Sequence, residues 1–305
     1  MLLKAVMLVG TALFVSAGAA RYWLLGTATR STLLLGIGGM GALLLASFLD
    51  LRATLSSVLP AADGAVLLRY FTTTGHGAAV QARLAFGLAL TALLAVSGTG
   101  QAREGSRAEG VAFAAGSVGL LGSYSVLSHG AVMGGWWPLV ADLVHFLAAG
   151  LWAGGVVAVV VAPVWVHERR EALVGAVRRL STLGLASVLV LALTGALNAL
   201  LQAGDPGSFL ASGYFVALVV KLALVVATVA VAGLNRFRFL PRLLAGGSAR
   251  ALRTSLQVEA VVLGLVLVAT GWLSTTAVPH DMYGASTGQS SVLENARRFL
   301  EYIGR

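Results

Sequence analysis

Long apolar stretches alternate with short polar loops along almost the whole chain. Each stretch is close to the roughly 20 residues that a helix needs to cross the hydrocarbon core of a bilayer. Glycine is frequent within these stretches, as it is in membrane helices that pack closely together. The pattern predicts an all-α polytopic membrane helix bundle with about eight transmembrane helices, at residues 2–20, 31–51, 77–96, 110–131, 138–165, 180–201, 214–234 and 255–276.

A different pattern marks the C-terminal residues 281–305. Ser291 followed by Glu294 has the spacing of a capping box, which begins a helix. The apolar residues that follow recur at helical spacing: Val292, Leu293, Ala296, Phe299, Leu300 and Ile303. This tail is predicted to form an amphipathic helix that lies on the membrane surface and does not cross it.

Composition agrees with a membrane protein and removes several other classes. The chain is 58% hydrophobic and 11% charged, against about 25% charged residues in soluble domains. The lipid bilayer must therefore solvate much of its surface. The absence of cysteine excludes disulfides, thiolate metal sites and iron–sulfur clusters. The net charge of +9 reflects arginines gathered in loops, so no nucleic-acid partner is expected.

The distribution of lysine and arginine predicts the orientation in the membrane. Loops after the first, third, fifth and seventh segments carry 13 of these residues, and the opposite side carries 6. Because cytoplasmic loops are enriched in lysine and arginine, the first set is predicted to be cytoplasmic. Both termini then lie outside the cell, as in a multi-pass protein of a bacterial-type inner membrane.

The first segment leaves one alternative open. It ends in the run SAGAA at residues 16–20, which resembles a signal-peptidase site. The charges around it, with Lys4 before the segment and Arg21 and Arg30 after it, favour a retained helix whose N-terminus is outside.

Four of the five histidines fall on the predicted outer face although they are far apart in sequence. His76 enters the third segment, His129 leaves the fourth, and His280 follows the last. His145 lies deeper, about 10 Å into the fifth segment at 1.5 Å per residue. Two methionines, Met133 and Met282, accompany His129 and His280. Their convergence would create a metal or haem site at the outer face.

Histidine combined with methionine is a ligand set suited to copper. Imidazole accepts both copper oxidation states, and a thioether is soft enough for Cu(I). A polar residue inside a span is costly, which makes His145 the central candidate. Histidines in loops are easily hydrated, so His76 and His280 carry less weight. Trp136 and Trp137, in the loop that follows Met133, are typical of residues that anchor a helix end at the interface.

Four further polar or aromatic residues lie within the predicted membrane segments. Asp142, His145 and Trp152 share one helical stripe, so Asp142 can accept a hydrogen bond from the imidazole nitrogen that does not bind metal. Lys221 lies within the seventh segment, where it would line the ion path or snorkel to the surface. Glu259, near the cytoplasmic end of the eighth, is expected to pair with Arg236 or Arg238.

Two stretches are characteristic: DLVHFLAAGLWAGG at residues 142–155 and the block from Lys221 to Pro241. They lie within a region, about residues 110–280, that resembles the copper resistance D (CopD) family. The resemblance implies an inner-membrane protein that moves copper inward, often beside a small periplasmic copper-binding partner. It divides the chain into an N-terminal three-helix membrane region at 1–109, a CopD-like membrane domain at 110–280 and the tail at 281–305.

A second, more distant resemblance keeps another function open. The pattern of His145, Trp152, Gly155 and Pro163 is similar to membrane haem proteins of the HemJ type. This implies a haem b-binding oxidoreductase in which His145 is an axial ligand of the iron. A third possibility is an assembly protein without transport activity. Of the three, copper transport without an enzymatic reaction is the interpretation that the residues favour most.

Overall fold

The computed structural model describes residues 1–26, 29–96, 106–125, 127, 136–162, 165, 170–202 and 206–276. These residues form helices and connecting turns, with no strand among them. The prediction of an all-α fold is therefore confirmed. The predicted amphipathic tail, 281–305, lies outside the described residues.

The helices follow the predicted segments closely. In chain order they are α1 (Leu2–Gly18), a π-helical turn (Ala19–Leu24), α2 (Arg30–Val58), α3 (Gly64–Thr73), α4 (Gly75–Val96), α5 (Arg107–Ser125), α6 (Trp136–Val160), α7 (Arg170–Gln202), α8 (Pro206–Leu210), α9 (Gly213–Leu234), a second π-helical turn (Asn235–Phe239), α10 (Leu240–Leu244) and α11 (Arg250–Leu273).

Seven helices in the described part of the chain are long and apolar enough to cross a membrane. The predicted fourth segment is helical as α5 but is not one of the seven. It carries Glu109 in its first turn and buries Ser117, Ser123 and Ser125, which lowers its apolar character. The chain is thus a multi-pass membrane protein.

Helix α1 lies between two groups of helices. On one side it packs against α2, and on the other against α6 and α11. The contact with α2 requires glycine, because a Cβ atom added to Gly39 would lie 2.6 Å from the carbonyl oxygen of Gly10. At Gly271 of α11, a Cβ atom would lie 2.7 Å from the backbone nitrogen of Ala5. Small residues therefore let α1 approach both neighbours at backbone distance.

The buried apolar residues form two cores that meet at α1. Met7, Phe14 and Phe113 belong to a core shared with α2, α4 and α5. Ala12 of α1 belongs to the other core, which includes Val156 of α6 and is shared with α7, α10 and α11. The polar residues of the candidate site lie in the second group of helices, together with α9.

Candidate functional site

His145 is the tenth residue of α6 and faces α7. Its Nδ1 atom lies 2.9 Å from the Thr194 hydroxyl oxygen. That hydroxyl donates its own proton to the Val190 carbonyl oxygen, which lies 2.7 Å away and one turn back along α7. Because a hydroxyl has one proton, the Thr194 oxygen accepts from Nδ1–H of His145. The lone pair of the neutral imidazole is then on Nε2.

A second polar pair lies one turn nearer the start of α6. The Asn198 side-chain amide donates to Oδ1 of Asp142 at 2.7 Å. Asp142 precedes His145 by three residues and Asn198 follows Thr194 by four, so both pairs lie on the same facing stripes of α6 and α7. The structure therefore gives Nδ1 of His145 a threonine partner, whereas the sequence suggests Asp142 for that role.

Helix α9 completes the cluster. Lys221, partly buried, interacts electrostatically with both Asp142 and His145. Tyr214, in the first turn of α9 and only 4% exposed, also interacts with Asp142. Asp142 is thus the negative centre of a group that contains one ammonium and one imidazole. We call Asp142, His145, Thr194, Asn198 and Lys221 the outer cluster.

Trp152 belongs to a separate polar group deeper in the bundle. It follows His145 by seven residues on the same face of α6, which places it about 10 Å further along the helix axis. Its indole N–H donates to Oε1 of Glu259 at 3.0 Å, and the Asn235 amide donates to Oε2 at 2.7 Å. These neutral donors replace the expected ion pair of Glu259 with arginine. Arg236 donates instead to the Ser181 hydroxyl at 2.8 Å, and Arg238 is exposed.

His76 lies in another cluster, formed by the N-terminal helices. Its Nε2 atom lies 3.3 Å from Oδ2 of Asp50, and the Lys4 ammonium lies 2.7 Å from the same oxygen. These residues join the start of α1, the last third of α2 and the start of α4. The partners of His76 are therefore different from those of His145.

Four of the proposed ligands, His129, Met133, His280 and Met282, lie outside the described residues. Within the part of the chain that the structure describes, no three histidine, aspartate or glutamate side chains form a group that could hold a metal ion. Trp136 and Trp137, at the start of α6, are stacked with ring centroids 3.8 Å apart and are 60% and 67% exposed. Their exposure agrees with an anchoring role at the interface.

Sequence reasoning does not single out Thr194 and Asn198 as part of the site, since polar side chains of this kind often join membrane helices without any further function. One signal points to them. Thr194 and Asn198 are four residues apart in α7, and Asp142 and His145 are three residues apart in α6. Both spacings correspond to about one helical turn, so each helix carries its pair on one face. Recognising the match requires knowing that α6 and α7 are neighbours.

Part of the chain matches a known protein family. The family model of copper resistance protein D (CopD) matches residues 174–273, from the beginning of α7 to the end of α11. The match contains Thr194, Asn198, Lys221 and Glu259, and the resemblance recognised in the sequence is confirmed there. Over these residues the chain is similar to the CopD family, which supports a membrane protein related to copper resistance and transport. No curated protein and no solved structure matches the chain.

Proposed function

We propose that this protein takes up copper at the outer face of a cell membrane and passes it inward between α6, α7, α9 and α11. His145 is the first ligand within the membrane, and copper is the transported substrate. The single observation that carries the proposal is the hydrogen bond from Nδ1 of His145 to Thr194, which lies in the region that matches the CopD family model.

The hydrogen bond matters because it selects one imidazole tautomer. Thr194 accepts from Nδ1–H while its own proton is held by the Val190 carbonyl oxygen. Nε2 is left as the nitrogen whose lone pair can bind a metal ion. Histidines that bind metals usually have such a partner on the second nitrogen, which orients the ring and raises its basicity. Imidazole is a suitable ligand for copper in both oxidation states.

The outer cluster also contains the charges that such a path needs. A lone ammonium next to His145 would repel a copper cation, but Lys221 interacts with Asp142 as well. Asp142 offsets this positive charge and lowers the cost of placing a cation nearby. The remaining repulsion from Lys221 keeps copper from being held too tightly, and a transported ion must be able to leave its binding site.

Residues near the outer ends of the helices would supply copper to His145. We assign this loading role to His129, Met133, His280 and Met282, with His76 of the N-terminal cluster as a further ligand. In this proposal both termini face outward, and a small periplasmic copper-binding protein delivers the metal. Trp152 lies next on the path, seven residues beyond His145 on α6.

The test is copper binding by the purified, detergent-solubilised protein, measured by competition with a Cu(I) chelator and by metal analysis. His145→Ala should remove stoichiometric copper binding while the protein still folds. His167→Ala is the matched control, because it removes a histidine from the predicted cytoplasmic side and should leave binding unchanged. Cells that express the protein should accumulate more copper than cells that express His145→Ala.

Two results would contradict the proposal. Full copper retention by His145→Ala would remove His145 from the site. Unchanged copper accumulation in expressing cells, together with a Soret absorption band that disappears in His145→Ala, would assign the histidine to haem b instead.

A further inference from the structure

We propose that Glu259 is a proton-binding site, and that it exchanges its proton as copper moves through the bundle. The second part rests on the proposed transport function, whereas proton binding itself can be tested on the resting protein. The site consists of Glu259 on α11, Trp152 on α6 and Asn235 at the start of the second π-helical turn, and we call it the inner cluster.

The carboxyl group of Glu259 is buried without a positive partner among the described residues. Its residue is 3% exposed, and its two oxygens accept from the neutral donors Trp152 and Asn235. No ion pair joins Glu259 to a lysine, arginine or histidine in the part of the chain that the structure describes. A buried carboxylate that keeps its charge without a cation is expensive in an apolar interior. The inner cluster therefore needs one positive charge.

The charged and titratable residues around Glu259 do not supply it. The elements packed against α11 are α1, α6, α9 and the second π-helical turn. Lys4 is paired with Asp50, Lys221 interacts with Asp142 and His145, and Arg236 donates to Ser181. Arg238 and Arg250 are exposed, and Arg253 lies over the Trp165 ring. Within the described ranges, the polar partners of Glu259 are the neutral side chains of Trp152 and Asn235.

Asn235 provides an independent indication of a missing proton. Its residue is 6% exposed, and the side-chain oxygen Oδ1 has no hydrogen-bond donor among the described residues. A protonated Glu259 carries an O–H group, and the Asn235 amide can turn so that its oxygen accepts from it. One proton thus removes the buried charge, and the turned amide exchanges the bond that its N–H donates for one that its oxygen accepts. The π-helical turn that begins at Asn235 is a type of irregularity often found at functional sites.

A proton fits this site better than a metal ion. The available ligand atoms are oxygens of one carboxyl group and one amide, which are hard ligands and suit Cu(I) poorly. Larger hard cations such as Ca²⁺ take six to eight oxygens, more than these two side chains offer. A proton needs one acceptor and one further hydrogen-bond partner, which Glu259 and Asn235 provide.

The position of the inner cluster suggests how the proton is used. Copper that leaves His145 and approaches Trp152 brings a positive charge close to Glu259. Repulsion then favours release of the proton from Glu259 toward the outer side. When copper leaves for the cytoplasm, Glu259 takes a proton from water on that side. One copper ion moves inward as one proton moves outward, and Glu259 returns to its starting state.

Proton binding is measured first, by titrating the fluorescence of the purified protein with pH. The Trp152 indole is bonded to Glu259, so its emission should change as the carboxyl group ionises, and Trp152→Phe identifies its contribution. Glu259→Gln should abolish this change. The substitution introduces a neutral side chain of the same size that can still accept from Trp152, so the variant is expected to fold. Glu171→Gln, at an exposed carboxylate in the first turn of α7, is the matched control.

Flux is measured second, in proteoliposomes that contain a pH-sensitive dye and receive ascorbate-reduced copper outside. Copper entry should raise the internal pH with the wild-type protein. With Glu259→Gln, copper should still bind at His145, but its entry should slow at least several-fold and cause no pH change.

The possible failures can be told apart. A Trp152 titration that persists unchanged in Glu259→Gln, or wild-type copper entry without a change in internal pH, would overturn the proton proposal and leave copper transport standing. Absence of copper entry with the wild-type protein would contradict the proposed function, and the fluorescence titration would still decide whether Glu259 binds a proton.

Discussion

The Thr194 hydroxyl determines which nitrogen of His145 is available to a ligand. It does so because its proton is already committed to the Val190 carbonyl oxygen, so that it can only accept from Nδ1–H. A threonine that bonds to its own helix is common in membrane helices and has no special meaning by itself. The additional contact with the imidazole gives this one a chemical consequence.

Replacing this hydroxyl tests the tautomer directly. Thr194→Val keeps the size and branching of the side chain but removes the acceptor for Nδ1–H. Loss of such a supporting hydrogen bond typically weakens metal binding by about 10- to 100-fold, and we expect a loss in that range in the competition measurement. Thr194→Ser keeps the hydroxyl and should bind copper nearly as well as the wild type. Equal binding by Thr194→Val and Thr194→Ser would show that the hydroxyl has no such role.

Asp142 and Lys221 act at the same scale through charge. Asp142→Asn removes the negative charge but leaves a side chain of the same shape, so the Lys221 ammonium would repel copper at His145 without compensation. We expect copper affinity to fall by about 10-fold or more, as for other losses around a metal ligand. Adding Lys221→Met should restore part of the affinity, because it removes the source of repulsion.

The double variant is informative because neighbouring charges do not act additively. If Lys221→Met changes copper affinity equally in the wild-type and Asp142→Asn backgrounds, the two charges are not coupled. That outcome would remove Lys221 from the outer cluster.

At the scale of elements, helix packing limits what the sequence can predict. The segment at 77–96 matches α4, which covers Gly75–Val96, because length and hydropathy define a span well. The hydropathy pattern does not reveal α3, since this helix is ten residues long and lies between two spans. His145 and Asp142 stand out in the sequence as unusual polar residues within a span. The contact between Glu259 and Trp152 does not stand out in this way. It depends on which faces of α6 and α11 meet, and the two residues are 107 positions apart in the sequence.

The close contact between α1 and α2 gives a prediction for stability. A Cβ atom on Gly39 would lie 2.6 Å from the Gly10 carbonyl oxygen and 3.0 Å from the Phe14 backbone nitrogen, and backbone atoms of a packed helix cannot easily retreat. Gly39→Ala should therefore lower the free energy of unfolding by about 1–3 kcal/mol, as overpacking does in other cores. Denaturant unfolding in detergent measures this loss.

The neighbouring glycine is the control for that measurement. Gly38 is exposed, and a Cβ atom added there would meet nothing within 4 Å. Gly38→Ala should leave stability unchanged or raise it slightly, because alanine favours the helix more than glycine does. Similar losses for both variants would mean that the effect comes from the helix itself and not from its contact with α1.

At the scale of the whole molecule, several helix ends meet at one face of the bundle. Lys4, Asp50 and His76 bring together the start of α1, the last third of α2 and the start of α4. Gly271, near the end of α11, contacts Ala5 at the start of α1. The outer cluster likewise joins the first half of α6 to the last turns of α7 and the first half of α9. The excess of arginine lies toward the other ends of these helices and in the segments that connect them.

In the proposed transport, the direction of copper movement depends on which face of the bundle is outside. Because cytoplasmic loops attract the excess of lysine and arginine, the face with Lys4 and Asp142 should be the outer one. Reporter fusions after Gly100 and Arg250 should then read as cytoplasmic, and a fusion after Arg305 as external. Removing positive charge from one side should disturb the orientation. The fraction of wrongly oriented protein should increase when glutamine replaces Arg169, Arg170, Arg178 and Arg179. A cytoplasmic signal after Arg305 would place His145 near the inner face, and copper would then be loaded from the cytoplasm and carried outward.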